Sequence, residues 1–155
     1  MTSPTDVVHE VKAELEDDWL PTIYSQKVRS QRTRAYNLDV PPRENRAEIQ
    51  YTLLGIELQV GRKRFSCPDL ATARYLRVFA RIGCREFAIP YDITQISPVA
   101  DELETSWQRS VLLLDQMDQN TLRTKLVKVL RDEITAIGPG DAMPLFDRET
   151  RQRRD

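Results

Sequence analysis

The sequence predicts an α+β fold with an N-terminal helix, a β-hairpin, a helix, a short strand and a C-terminal helical hairpin packed on a small sheet. Three observations predict it. Apolar residues recur at helical spacing in several separate stretches, they alternate with polar residues between positions 47 and 67, and glycine or proline separates the stretches. The length of 155 residues suits a single domain with its own core, which we assign to residues 1–140.

The N-terminal helix has a recognisable start. Ser3 is placed to cap it, Pro4 occupies the first helical position, and Asp6 completes a capping box. An apolar stripe of valines and Leu15 follows at helical spacing. Residues 22–46 show no clear period, so we expect them to be partly irregular, with a short strand around residues 33–38.

Residues 47–67 alternate as a β-hairpin does, with a turn at Gly61. The alternation changes phase across Gly55, which is what a β-bulge at that glycine would produce. A second interpretation remains open, because short apolar runs are ambiguous. In that interpretation a helix begins after Pro42 and ends at Gly55.

The second half of the chain is predicted to be mostly helical. Asp69 is a plausible N-cap and Gly83 a natural stop for one helix, and a short strand follows at residues 87–89. Two further helices are separated by Asn120-Thr121, which we expect to cap the second of them. Their apolar stripes must be buried, either on the sheet or against a second copy of the chain, so a homo-oligomer through this hairpin is one outcome.

The two tryptophans receive different interpretations. Trp107 lies in the middle of an apolar stripe, which predicts a core position. Trp19 follows an acidic run and precedes Leu20 and Pro21. It either anchors a partner or covers the apolar face of the first helix.

Composition excludes several classes of protein. The formal net charge is −1, no apolar run approaches the length of a membrane span, and the acidic N-terminal residues do not form a signal peptide. Cys67 and Cys84 lack metal-site spacing and the chain has one histidine, His9, so we expect no metal site and no cofactor. The predicted location is the cytoplasm, and residues 141–155 are predicted to be a flexible basic tail.

Charge is distributed unevenly along the chain. Residues 62–85 contain seven basic residues and a single acid, whereas residues 1–20 and 99–118 are strongly acidic. Three of the arginines recur at positions i, i+3 and i+7, which places them on one face of a helix. The candidate anion-binding and partner-binding residues are Arg62, Lys63, Arg64, Arg74, Arg77 and Arg81.

Two explanations of this basic segment remain open. In the first, the arginines bind phosphate or an acidic partner, which suits their planar guanidinium groups. In the second, the acidic segments lie over the basic one within the same fold and no external partner is bound. Pairing of Arg74, Arg77 and Arg81 with internal carboxylates would remove the basis of the first explanation.

The sequence contains no nucleotide-binding loop, no GxSxG and no HExxH. One acidic pattern remains, because Asp39 precedes a predicted strand while Glu57 and Gln59 share one face of a later one. Over residues 4–90 this pattern resembles the PD-(D/E)xK class of metal-dependent nucleases, with Leu38 and Gln59 where that class has proline and lysine. The resemblance implies divalent-metal catalysis by Asp39, Glu57 and Gln59. The alternative is the outward side of an amphipathic strand.

By elimination, the sequence favours a non-enzymatic binding, adaptor or regulatory protein that docks an acidic protein partner through the six basic residues. The first alternative is a nucleic-acid-binding protein that uses the same residues, helped by the tail and by Lys27, Arg29, Arg32 and Arg34. The second alternative is the nuclease. No membrane partner is expected.

Overall fold

The computed structural model describes residues 3–140 and contains helices together with two small antiparallel sheets. The α+β prediction is confirmed, including the order of helix, hairpin, helix and strand and the C-terminal helical hairpin. The helices are α1 (Pro4–Leu15), α2 (Leu20–Ile23), α3 (Leu70–Ile82), α4 (Ile96–Gln116) and α5 (Arg123–Ile137). The strands are β1 (Thr33–Asn37), β2 (Ala47–Thr52), β3 (Gly55–Val60), β4 (Lys63–Cys67) and β5 (Glu86–Pro90).

The helix starts and stops of α1 and α3 follow the sequence signals. Ser3 and Asp6 form the predicted capping box of α1, and the Asp69 carboxylate accepts a hydrogen bond from the backbone N–H of Thr72 at 2.7 Å. Gly83 ends α3 in the left-handed region, with φ of 70°. A Cβ atom there would lie 2.3 Å from the carbonyl oxygen of Arg43, so only glycine fits this position.

Residues 47–67 form a three-stranded meander, in the order β2-β3-β4. The helical interpretation of residues 43–55 is therefore wrong. The phase change at Gly55 marks a turn between β2 and β3 rather than a bulge within one strand, because Thr52 pairs with Gly55 across Leu53 and Leu54. β1, by contrast, pairs with β5 in a separate two-stranded sheet.

The segment from 22 to 46 is more ordered than its sequence indicates. After α2 the chain continues as a π-helical turn over Tyr24–Val28 and then forms β1, so that within this segment residues 29–32 and 38–46 lack helix or strand. The Tyr24 hydroxyl explains this order. It accepts a hydrogen bond from the Ala88 N–H and donates one to the Gly138 carbonyl, both at 2.7 Å.

Asn120 does not cap α5. Residues Asn120–Leu122 form a separate 3₁₀ turn, and the Asn120 amide donates to the carboxylate of Asp115 instead. Both tryptophans belong to the core, since Trp107 is 5% exposed and Trp19 is 1% exposed. The Trp107 prediction is confirmed, and Trp19 covers the helices rather than serving as an exposed anchor. Within residues 3–140, no helix combines the length and the apolar character needed to cross a bilayer.

The meander packs against α3, and this packing positions the candidate site. The side chains of Ala47, Ile49 and Tyr51 face the same side of the sheet, and of these Ala47 is buried. At the start of β2, the backbone N–H of Asn45 donates to the Arg81 carbonyl at 2.9 Å. At the other end, Tyr51 lies close enough to Arg77 to affect the pKa of that guanidinium group. β2 therefore runs antiparallel to α3.

Candidate functional site

The six basic residues predicted as one surface divide between two elements. We call Arg62, Lys63 and Arg64 the turn group, because they lie at the β3–β4 turn and the start of β4. We call Arg74, Arg77 and Arg81 the helix group, because they lie on α3 and face α4. The two groups have different partners.

The helix group is paired internally. Arg74 forms an ion pair with Asp101, and Arg81 donates two hydrogen bonds to the Glu104 carboxylate at 2.8 and 2.9 Å. Arg77 lies 3.7 Å from the same carboxylate. These acids belong to α4, within the acidic segment 99–118. The second explanation, in which acidic segments of the same fold lie over the basic one, is therefore correct for this segment. All three arginines of the helix group are thus ion-paired within the fold, which removes the basis for docking a partner through the six residues as one free basic face.

The acids of residues 1–20 do not contribute to this compensation. Asp18 pairs with Arg109 of α4 at 2.7 Å, and Lys12 of α1 pairs with Glu133 of α5 at 3.3 Å. Of the N-terminal acids, Asp18 therefore compensates a cation of α4 outside the helix group, and the Lys12–Glu133 pair sets a cation of α1 against an acid of α5. Three guanidinium groups of α3 share two carboxylates of α4.

Arg77 is the member of the helix group left with incomplete contacts. Its side chain is 22% exposed, its distance to Glu104 is too long for a hydrogen bond, and its buried Nε atom has no hydrogen-bond partner. Burial lowers the pKa of Arg77, and the neighbouring Arg81 and Arg74 lower it further against the opposing effect of Glu104. The guanidinium group remains protonated at neutral pH and is under-coordinated.

Arg77 and Arg81 lie on the wall of a groove of about 810 Å³. One side of the groove is formed by the chain from Glu44 to Gln50, which includes most of β2. The opposite side is formed by Trp107 and Gln108 of α4. The groove therefore runs between a sheet edge and a helix, with two arginines of α3 between them.

One end of the groove is closed by Arg123, the first residue of α5. Its guanidinium group forms hydrogen bonds to Glu44 at 2.8 and 3.0 Å and lies 5.4 Å from the centre of the Trp107 ring. This cation–π and ion-pair arrangement fixes the position of Trp107 beside the groove. A second cavity of about 530 Å³ continues past Trp107 and is lined by Val111 and Leu112.

The β2 edge that borders the groove carries backbone groups without partners. β2 is a terminal strand of its sheet. Because a two-residue turn at residues 53–54 joins β2 to β3, Thr52 and Gly55 form a hydrogen-bonded pair. The backbone groups that face β3 therefore belong to Thr52, Gln50 and Glu48. The N–H and C=O groups of Ala47, Ile49 and Tyr51 therefore point away from β3, and Ala47 and Ile49 line the groove. Across the part of the chain that the structure covers, none of these groups forms a backbone hydrogen bond elsewhere.

The turn group lies on the surface of the meander. Lys63 donates to the Asp39 carboxylate at 2.7 Å, and Arg64 lies 3.9 Å from Glu57. The side chains of Lys63, Asp39 and Arg64 are at least half exposed, so water and salt screen their charges, whereas Glu57 is 22% exposed. Arg62 is exposed at the turn and has no ion-pair partner among residues 3–140.

The three residues of the nuclease resemblance are not brought together as a metal centre. Asp39 follows β1 and is bound by Lys63 and Arg85, whereas Glu57 and Gln59 lie on β3 of the other sheet. No three acidic, histidine or cysteine side chains between residues 3 and 140 are grouped to hold a metal ion. The pattern fits the outward side of a strand.

The two cysteines are buried and free, and neither is activated. Burial raises the pKa of the Cys84 thiol to about 11 and also raises that of Cys67. A nucleophilic cysteine requires the opposite shift. These thiols therefore behave as small core residues.

Sequence reasoning found Arg77 and Arg81 but missed the rest of the groove. Glu44, Trp107 and Arg123 come from three distant segments, and only the fold brings them together. One signal was present, since Asp101 and Glu104 repeat on α4 with the i, i+3 spacing of Arg74 and Arg77 on α3.

Comparison of the chain with protein-family models, with curated proteins and with solved structures finds no match.

Proposed function

We propose that the protein is a non-enzymatic binding protein that takes an extended acidic segment of a partner protein into the groove between β2 and α4. The supporting observation is the position of Arg77, an under-coordinated guanidinium group beside an unpaired strand edge. The proposal narrows the six-residue surface predicted from sequence to Arg77 and Arg81.

Both kinds of contact support an extended partner. An added strand satisfies the free N–H and C=O groups of a sheet edge, and its alternate side chains give specificity. A carboxylate from that strand supplies the acceptor that Arg77 lacks, and a charge-assisted hydrogen bond of this kind is stronger than a neutral one. The two free thiols support a reducing, cytoplasmic setting for this activity.

Selection from a random twelve-residue peptide display library tests the proposal. We expect the wild-type protein to enrich peptides rich in Asp and Glu, and we expect the double variant Arg77→Gln/Arg81→Gln to lose that enrichment. Arg62→Gln/Arg64→Gln is the matched control, because it removes the same charge from the turn group. An enrichment without acidic bias, or one that the groove variant retains and the turn variant loses, would contradict the proposal.

A further inference from the structure

We infer that the bound segment carries two acidic residues separated by one residue, in the pattern acid-x-acid. This inference rests on the proposed function, since it specifies the segment that the groove accepts. It depends on the spacing of Arg77 and Arg81 and on the direction in which α3 runs beneath β2.

The two arginines match the repeat of an extended strand. They are four residues apart on α3, which corresponds to about 6 Å along a helix axis. Alternate residues of a β-strand are separated by about 6.6 Å. α3 runs antiparallel to β2, and the guanidinium groups of Arg81 and Arg77 reach the same oxygen of Glu104, at 2.8 and 3.7 Å. A strand added beside β2 would therefore meet the two arginines within about one two-residue repeat.

The alternation of side chains determines which positions are acidic. On an added strand, one set of side chains faces α3 together with those of Ala47, Ile49 and Tyr51. Two acids at positions i and i+2 of this set would both face the arginines. Glu104 alone serves both guanidinium groups, so two incoming carboxylates would give each arginine its own partner.

The intervening residue faces the other side of the sheet. There it meets the side with Glu48 and Gln50, where Glu48 pairs with Arg46 at 3.0 Å and its side chain is half exposed. A third acid at this position would face the Glu48 carboxylate. The intervening residue is therefore neutral or basic.

Peptides of identical composition test the spacing. Fluorescein-labelled ten-residue peptides of Thr, Ser and Val would carry two aspartates at positions i and i+1, i and i+2, or i and i+3, and binding would be measured by anisotropy. We expect the i, i+2 peptide to bind about tenfold more tightly than the other two, since only it presents both carboxylates on one face. Arg77→Gln and Arg81→Gln would each remove the preference, whereas Arg64→Gln would keep it.

The outcomes separate the inference from the proposed function. Binding to the β2 edge would be followed by NMR, as changes in the backbone amide chemical shifts of Ile49 and Tyr51. If the three peptides bind equally and each changes these shifts, the acid-x-acid spacing is wrong but the groove remains the binding site. A preference that survives Arg77→Gln would also overturn the spacing. If none of the three peptides changes the amide chemical shifts of β2, the proposed function itself is contradicted. Thermal denaturation of each variant shows that it is folded.

Discussion

The turn group and the helix group belong to one basic segment of the sequence but differ in their surroundings. The turn group projects from a strand into solvent, where its pairs are long or screened. The helix group lies between α3 and α4, where two carboxylates hold three guanidinium groups with side chains less than a third exposed. The difference shows that packing decides how completely each cation of a basic segment is paired, since within the helix group Arg77 alone has a buried Nε atom without a hydrogen-bond partner.

The largest expected effect follows removal of the shared carboxylate. Glu104→Gln leaves Arg77 and Arg81 without their common anion and weakens two charge-assisted hydrogen bonds. We expect a loss of about 1–2 kcal/mol in the free energy of unfolding, measured by urea denaturation. The matched control is Glu57→Gln, which removes the carboxylate that lies 3.9 Å from Arg64 of the turn group. It should change stability by less than about 0.5 kcal/mol. Equal losses would mean that the two groups do not differ.

The next effect separates two arginines of the helix group. Arg81→Gln removes both hydrogen bonds to Glu104, so we expect a loss of about 1 kcal/mol in unfolding free energy. Arg77→Gln removes a group that forms no hydrogen bond within residues 3–140 and whose attraction to Glu104 is opposed by Arg74 and Arg81, so its loss should be below about 0.5 kcal/mol. If Arg77→Gln lowers the free energy of unfolding as much as Arg81→Gln does, Arg77 is a structural residue and is not available to bind a partner in the groove.

The nucleic-acid alternative predicts a different dependence on salt. Because five of the six basic residues of the turn and helix groups already have carboxylate partners, we expect labelled single-stranded and duplex DNA to bind more weakly than about 100 μM at physiological salt. Fluorescence anisotropy over a salt series measures this. Micromolar binding that weakens steeply with salt, and that Arg62→Gln/Arg64→Gln reduces, would favour nucleic acid as the partner of the turn group.

The smallest effect concerns Asp39, which joins the turn group to β5. The hydrogen bond and charge of Lys63, assisted by Arg85, lower the pKa of the Asp39 carboxyl. A lowered folded-state pKa contributes stability above the unfolded value, and this contribution is lost as pH falls through the folded value. An NMR titration should therefore place the Asp39 midpoint below the ordinary pKa of an aspartate carboxyl, and Lys63→Gln should move it upward. An unchanged midpoint in that variant would mean that the pair is not formed in solution.

Local signals in the sequence predicted the local structure. The Ser3–Asp6 box, the Asp69 cap and the Gly83 stop each depend on residues within a few positions of one another, and each is confirmed. The pairing of β1 with β5 joins segments about fifty residues apart, which a local pattern cannot show. Likewise, Leu53 and Leu54 form a hairpin turn without the usual Asn-Gly sequence. Without that turn signal, Gly55 predicts a bulge, and this prediction is wrong.

The candidate site was only partly predictable for the same reason. The i, i+3, i+7 spacing placed Arg74, Arg77 and Arg81 on one helix face, but the partners on that face come from α4. Whether a cation is paired depends on those tertiary contacts. The sequence also does not predict that β2 has a free edge, because strand order within the sheet decides which strand is terminal.

Amide hydrogen exchange at the β2 edge tests the central claim most directly. The full chain would be exchanged with and without a saturating peptide that carries aspartates at positions i and i+2, and followed residue by residue by NMR. We predict that the amides of Ile49 and Tyr51 gain protection, while those of Glu48 and Gln50, which already face β3, change little. Unchanged exchange at Ile49 and Tyr51 under saturation would contradict the claim that a partner strand pairs with β2.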